Sequence, residues 1–270
     1  MTTLLSNSLF VSHGAPTVAI EPSSAREFLS RLGGEIGTPR AIVCISAHWM
    51  TERPRVTGVE RPETIHDFSG FPEELYRMQY RPPGAVAAAR EVVDALRKAK
   101  FDCEIDPNRG LDHGAWVPLS LMYPTADIPT LQLSVQPHLG AAYHLALGMA
   151  LASLPERGVL VLGSGSATHN LGQLNYSANA STSPQVTAFV EWLAAAIEDG
   201  RFEDVANYRR LAPHAAFNHP TEEHFLPLLV AAGAGGVKAT GRCLHSSYTF
   251  GNLSMASYAF AHEDKLANVA

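Results

Sequence analysis

Four of the twelve histidines in this chain sit beside short apolar runs. His13 follows Ser8-Leu9-Phe10-Val11, His48 follows Ala41-Ile42-Val43-Cys44-Ile45, and His169 follows Val159-Leu160-Val161-Leu162; His224 opens Phe225-Leu226-Pro227-Leu228-Leu229. A neutral imidazole offers a lone pair to a transition metal, and its pKa near neutrality also suits it to carry protons. The first three runs have the length and composition of buried strands, and in an open α/β sheet the carboxyl ends of parallel strands meet on one rim. Imidazoles converging there would hold a metal ion, with a further histidine left to act as acid or base.

The local contexts differ. His13 lies in Ser12-His13-Gly14-Ala15-Pro16, where Gly and Pro force a turn straight after a strand and fix the ring at the rim. His48 lies in Ser46-Ala47-His48-Trp49, with small residues that permit close approach and a Trp49 able to wall an apolar pocket. His169 ends the small-residue turn Gly163-Ser164-Gly165-Ser166-Ala167-Thr168, which has neither the Lys of a phosphate-binding loop nor the glycine spacing of a dinucleotide fingerprint. His224 ends His219-Pro220-Thr221-Glu222-Glu223-His224; Thr221 is expected to cap a helix whose first turn carries the two glutamates, which then need no catalytic duty. His113, in Leu111-Asp112-His113-Gly114-Ala115-Trp116, precedes a helix-like run and can exchange a proton near the same rim. Any one of these histidines alone also reads as a turn or surface residue bonded to nearby backbone. His144 and His262 read as surface residues of a helix and of the tail.

The elements that must position these side chains alternate along the chain. Strands are expected at 8–11, 41–46, 130–135, 159–163 and 237–243, the last polar enough to be an edge. Helices are expected from Ser24 to Leu32, closed by Gly33-Gly34, and from Gly84 to Ala99; a third runs from Gly140 to Leu154, a fourth from Pro184 to Asp199. A fifth runs from Glu222 to Ala232, closed by Gly233. This is the pattern of one α/β domain over residues 1–270, with a central mostly parallel or mixed sheet flanked by helices on both faces. The proline-punctuated, aromatic segment 53–83 has the length of a loop that covers an active site, and Asn175 to Ser183 reads as an exposed loop. A net charge of −6 gives no reason to expect nucleic acid or an anionic membrane as partner. Three cysteines without metal-type spacing suit a reducing compartment, and with no leader pattern or membrane-length apolar run the expected location is cytoplasmic.

Taken together, Ser12-His13-Gly14-Ala15-Pro16, Ser46-Ala47-His48-Trp49, Thr64-Ile65-His66-Asp67-Phe68-Ser69-Gly70-Phe71-Pro72, Asp112-His113-Gly114-Ala115-Trp116, His169-Asn170-Leu171 and Pro220-Thr221-Glu222-Glu223-His224 resemble the class III extradiol ring-cleavage dioxygenases. Within that family the likeness is to the DOPA 4,5-dioxygenase branch, in family order from near residue 9 to about residue 256. The resemblance implies a mononuclear non-haem metal held by His13, His48 and His224. It makes His169 the acid/base histidine, able to approach the metal as an extra ligand when substrate is absent, and His113 a further histidine of the pocket. The protocatechuate branch uses a glutamate as third ligand, so Glu223 beside His224 keeps a two-histidine, one-carboxylate triad in play. The partners implied are a small catechol and O₂, with Fe(II) required for activity and Zn(II) also suited to neutral imidazoles. His66, Trp49 and Trp116 are expected to contact the substrate. Two other readings of the same residues are a zinc hydrolase, which would act without O₂, and a non-catalytic binding protein on the same scaffold, as the cell-motility mediator resembling this family is thought to be.

Overall fold

The structure, a computed structural model, describes residues 8–177 and 180–262; Ala178 and Asn179, inside the loop expected at 175–183, lie outside the described residues. The strands are β1 (Ser8–Ser12), β2 (Ala41–Met50), β3 (Arg55–Thr57), β4 (Glu104–Asp106), β5 (Thr130–Val135), β6 (Val159–Gly165), β7 (Ala239–His245), β8 (Tyr248–Thr249), β9 (Leu253–Ser254) and β10 (Ser257–His262). The helices are α1 (Ser24–Ile36), α2 (Glu73–Arg77), α3 (Val86–Lys98), α4 (His113–Met122), α5 (Gly140–Ala150), α6 (Pro184–Glu198), α7 (Phe202–Ala206), α8 (Tyr208–Leu211), α9 (Ala215–Asn218) and α10 (Leu226–Ala234). Eight strands form one sheet in the order β4-β3-β5-β2-β6-β1-β10-β7, and β8 pairs with β9 apart from it. The sheet is mixed. Its centre, β5-β2-β6-β1, is parallel, whereas β10 runs antiparallel to β1 and β7, and β3 antiparallel to β5. No helix among the described residues is long and apolar enough to cross a membrane.

Period-two alternation in the central strands builds two cores. Phe10, Val43, Ile45, Leu131, Leu133 and Val161 face α3, α5, α6 and α10. Their neighbours Leu9, Val11, Ile42, Cys44, Leu160 and Leu162 face α1 and α4. Because both faces are covered, β1, β2 and β6 are built on short apolar runs, as expected, whereas β5 alternates Leu131, Leu133 and Val135 with buried Thr130, Gln132 and Ser134.

Two expected helix stops fail for one physical reason. Gly33 lies inside α1, where a Cβ would come within 1.9 Å of the Met122 carbonyl; Gly233 lies inside α10, where it would sit 2.3 Å from the Leu145 carbonyl. These glycines permit helix crossings, α1 over α4 and α10 over α5, and do not end the helices. The start of α10 is also later than expected. Pro227 sits in its first turn, and Glu222 to Phe225 form the preceding turn with Thr221 ahead of it, so Thr221 does not cap the helix. His144, expected on a surface, is fully buried. The strand at 237–243 runs from 239 to 245 and is an edge, as its polarity implied.

Candidate metal centre

The parallel centre of the sheet delivers its histidines to one rim. The His13 backbone N–H donates to the Gly165 carbonyl at 3.0 Å, carrying the β1–β6 pairing one step past the strand and leaving the ring at the sheet's edge. His48 lies within β2, but beyond Ser46, the last residue paired with β6, in the stretch where the β2–β5 register slips. His224 is brought in by the turn before α10, its carbonyl accepting from the Ser166 N–H at 2.9 Å.

His48 Nε2 lies 3.2 Å from His13 Nε2 and 3.2 Å from His224 Nε2. The far side of each outer ring fixes its tautomer. Ser164 donates its hydroxyl proton to the Gly114 carbonyl, so it can only accept from His13 Nδ1, 3.0 Å away. Glu223 Oε1 lies 3.0 Å from His224 Nδ1, and an ionised carboxylate only accepts. Nδ1 therefore carries the proton in both rings, and each Nε2 presents a lone pair toward His48 Nε2. A neutral His48 has at most one proton there for two acceptors, whereas a cation among the three nitrogens satisfies all of them. Two nitrogens about 2.0–2.1 Å from one ion lie roughly 3 Å apart at tetrahedral or octahedral angles, which the observed spacing matches. The donor set thus fits one divalent metal.

Electrostatics point the same way. Burial, reinforced by His48, His224, His113 and His169, holds His13 well below the usual imidazole range. Burial followed by the charge of His169 and His48 does the same to His224. For His48, burial and His113 outweigh the pull of Asp112 and Asp67 and bring it to about 4. All three rings are neutral at neutral pH, the form that ligates.

Behind them lies a polar frame. Asp112 is fully buried and accepts from Ser46 Oγ at 2.6 Å, Gln132 Nε2 at 2.8 Å and Arg109 Nη2 at 3.1 Å. The His48 backbone N–H reaches Ser46 Oγ at 3.2 Å, so the strand end carrying the ring is tied to that buried carboxylate. Glu223 braces His224 from behind and accepts from Thr221 Oγ1 at 2.9 Å. This is the arrangement in which a carboxylate orients a ligating histidine.

His113 opens α4, and Asp67 closes that helix's first turn by accepting the His113 backbone N–H at 2.9 Å. Asp67 Oδ1 also lies 3.0 Å from His113 Nδ1. Burial opposes ionisation of Asp67, but the hydrogen bonds and charge of His113 prevail and hold it at about 2. His169 stacks flat on His224, ring centroids 3.4 Å apart and planes 10° from parallel. Burial lowers its pKa, with Glu223 opposing and His113 assisting.

These rings form the floor of a cavity of about 630 Å³, within the usual range for a small-molecule site. Its walls are mostly apolar, from Phe68, Phe71, Pro72, Leu174, Tyr176 and Phe250. The expected substrate contacts do not reach it. Trp49 lies under the Arg109 guanidinium, 5.2 Å from its ring centroid. Trp116 is buried behind Phe68 and donates to the Ile65 carbonyl at 2.9 Å, and His66 Nε2 is held by the Met78 carbonyl at 3.0 Å. Trp116 and His66 support the 64–72 loop, and the phenylalanines of that loop face the cavity. Ser164 and Asp67 are the functional residues that sequence reasoning passed over. Each was inside a quoted motif, but a bond to a ring nitrogen from another strand or loop leaves no periodic signal.

Residues 8–261 match the family described as "Catalytic LigB subunit of aromatic ring-opening dioxygenase". The chain is 44% identical over 260 residues to the 4,5-DOPA dioxygenase extradiol of Beta vulgaris, covering 95% of this chain and 97% of that one. It is 37% identical over 255 residues to the protein of the same name in Escherichia coli K12, covering 92% of each. The crystal structure of an uncharacterized protein from Escherichia coli K12 superposes with a TM-score of 0.78 at 32% identity, over 93% of this chain and 98% of that one.

Proposed function

The chain belongs to the LigB family of aromatic ring-opening dioxygenases, and we propose that it opens the ring of a DOPA-like catechol by extradiol cleavage. In that reaction the ring carbon–carbon bond beside one hydroxyl breaks and both atoms of O₂ enter the product. The convergence of three Nε2 atoms at the floor of an apolar cavity, with a fourth imidazole stacked alongside, carries the reading.

His13, His48 and His224 hold the metal in this reading, and the Nε2 of His224, not the Glu223 carboxylate, completes the set. Fe(II) bound there supplies a redox-active centre that brings catechol and O₂ together. His169, neutral at pH 7 because burial lowers its pKa, takes a phenolic proton on a ring nitrogen and later returns one to the opening product. Stacking on His224 fixes the plane in which that nitrogen lies. His113 faces Asp67 with Nδ1, 3.0 Å from Oδ1, and leaves Nε2, which makes no hydrogen bond among the described residues, for a substrate oxygen. Phe68 and Phe71 exclude water from the ring being opened.

The test is anaerobic loading with Fe(II), followed by admission of O₂ with L-DOPA and other 4-substituted catechols. Appearance of the yellow ring-opened semialdehyde, with stoichiometric O₂ uptake and none in the zinc-loaded protein, is the expected result. Turnover that proceeds without O₂ would overturn the proposal in favour of a hydrolase.

A further inference from the structure

Apart from the histidines, the cavity is lined among the described residues by one carboxylate or cation, and that residue is Glu21. No Lys or Arg contributes to the wall among the described residues. Glu21 follows the short turn Pro16–Ala19, its backbone N–H bonded to the Thr17 carbonyl at 2.7 Å, so the main chain beneath it is fixed. Its side chain is exposed, and its carboxylate makes no hydrogen bond or ion pair among the described residues. The other acidic groups near the floor are already engaged: Asp67 with His113, and Glu223 with Thr221 and His224. The cavity therefore has an imidazole floor, an apolar middle, and one unpaired negative charge in its wall.

A catechol seated on the imidazoles shares the cavity with Phe68, Phe71 and Glu21. A protonated amine on its side chain gains the attraction of Glu21. A carboxylate finds no cation to meet it and meets repulsion from Glu21 instead, and the net charge of −6 on the whole chain acts in the same sense at long range. Building on the ring-opening reading above, we infer that Glu21 is a specificity-determining residue that selects catechols bearing a protonated amine over those bearing only a carboxylate.

Dopamine, 4-methylcatechol and 3,4-dihydroxyphenylacetate present the same ring with a positive, neutral or negative side chain. Dissociation constants are measured by calorimetry on the zinc-loaded protein, and kcat/KM on the Fe(II)-loaded protein. Dopamine should be favoured over 3,4-dihydroxyphenylacetate by about 10-fold in both, the scale of one partly exposed charge attracting one ligand and repelling the other. That ratio should shrink at high salt, fall toward one in Glu21→Gln and invert in Glu21→Lys, with zinc stoichiometry showing that both variants are folded. Equal affinity for the two ligands in the unaltered protein, or a preference that survives both substitutions, overturns the inference. If calorimetry shows the preference but no catechol is opened, the ring-opening proposal fails while the charge selection stands; if none of the three binds, both fail.

Discussion

At the scale of single residues, the site separates ligands from the groups that orient them. His224→Ala removes an Nε2 from the cluster and should abolish stoichiometric metal binding, measured by metal analysis after dialysis. Glu223→Ala removes only the brace on Nδ1, so at saturating metal it should keep one equivalent, with affinity lower by about 10–100-fold. The reverse pattern would move the third ligand to the carboxylate. His169→Ala should keep its metal and slow catechol opening by about 10²–10⁴-fold, with the defect easing at higher pH as solvent base removes the phenolic proton. The five histidines were legible because strand ends and turn residues flank them. Their ring orientations were not, since Ser164 and Asp67 act on nitrogens from distant parts of the chain, and Glu223, though adjacent to His224, reads in sequence as a helix-start residue.

Elements meet at the site with little clearance. The first turn of α4 packs against the end of β2 at Gly114, where a Cβ would come within 2.3 Å of Ser46 Oγ and 2.9 Å of His48 Cδ2. Gly114→Ala must push α4 away from β2 or turn the His48 ring. It should cost about 1–3 kcal/mol of stability in denaturant titrations, and lower turnover by more than that loss explains. A variant as active as the parent would show that the α4–β2 contact does not set the position of His48. Strand and helix types followed from periodicity in the long buried elements. Their limits did not, because Gly33 and Gly233 serve contacts between helices, and a glycine needed for a close approach looks in sequence like one that ends a helix. The short β3 and β4 and the late β10 carry too few residues, or too many small ones, for alternation to stand out.

For the molecule as a whole, buried neutral histidines outside the site govern stability in mild acid. His144 donates Nδ1–H to the Gly140 carbonyl at 2.7 Å and accepts the Gln136 N–H on Nε2 at 3.0 Å, so a second proton has no place; burial brings it to about 4. Burial also brings His219 to about 3, against the hydrogen bond of Nε2 to the Ala167 carbonyl. Because these pKa values lie below the unfolded value of 6.5, the unfolded chain binds more protons in between. Stability is full above pH 6.5 and is lost as pH falls toward the folded values. His144 alone should cost ~2 kcal/mol between pH 6.5 and 5, and urea midpoints of the metal-loaded protein should be less acid-sensitive by that amount in His144→Gln. An α/β class with helices on both faces was legible from alternation of apolar runs. The antiparallel insertion of β10 between β1 and β7 was not, because strand order depends on partners far apart in the chain. That insertion also sets a timetable for synthesis. Ser8 of β1 pairs with Val161 on one side and Phe260 on the other, so the strand that leads into His13 has no second neighbour until β10 has left the ribosome. At about 5–20 residues per second, the stretch between β6 and β10 is a wait of roughly 5–20 s with one edge open. His224 is translated within the same interval, so His13 and His48 wait for their third imidazole while the edge of β1 is still open.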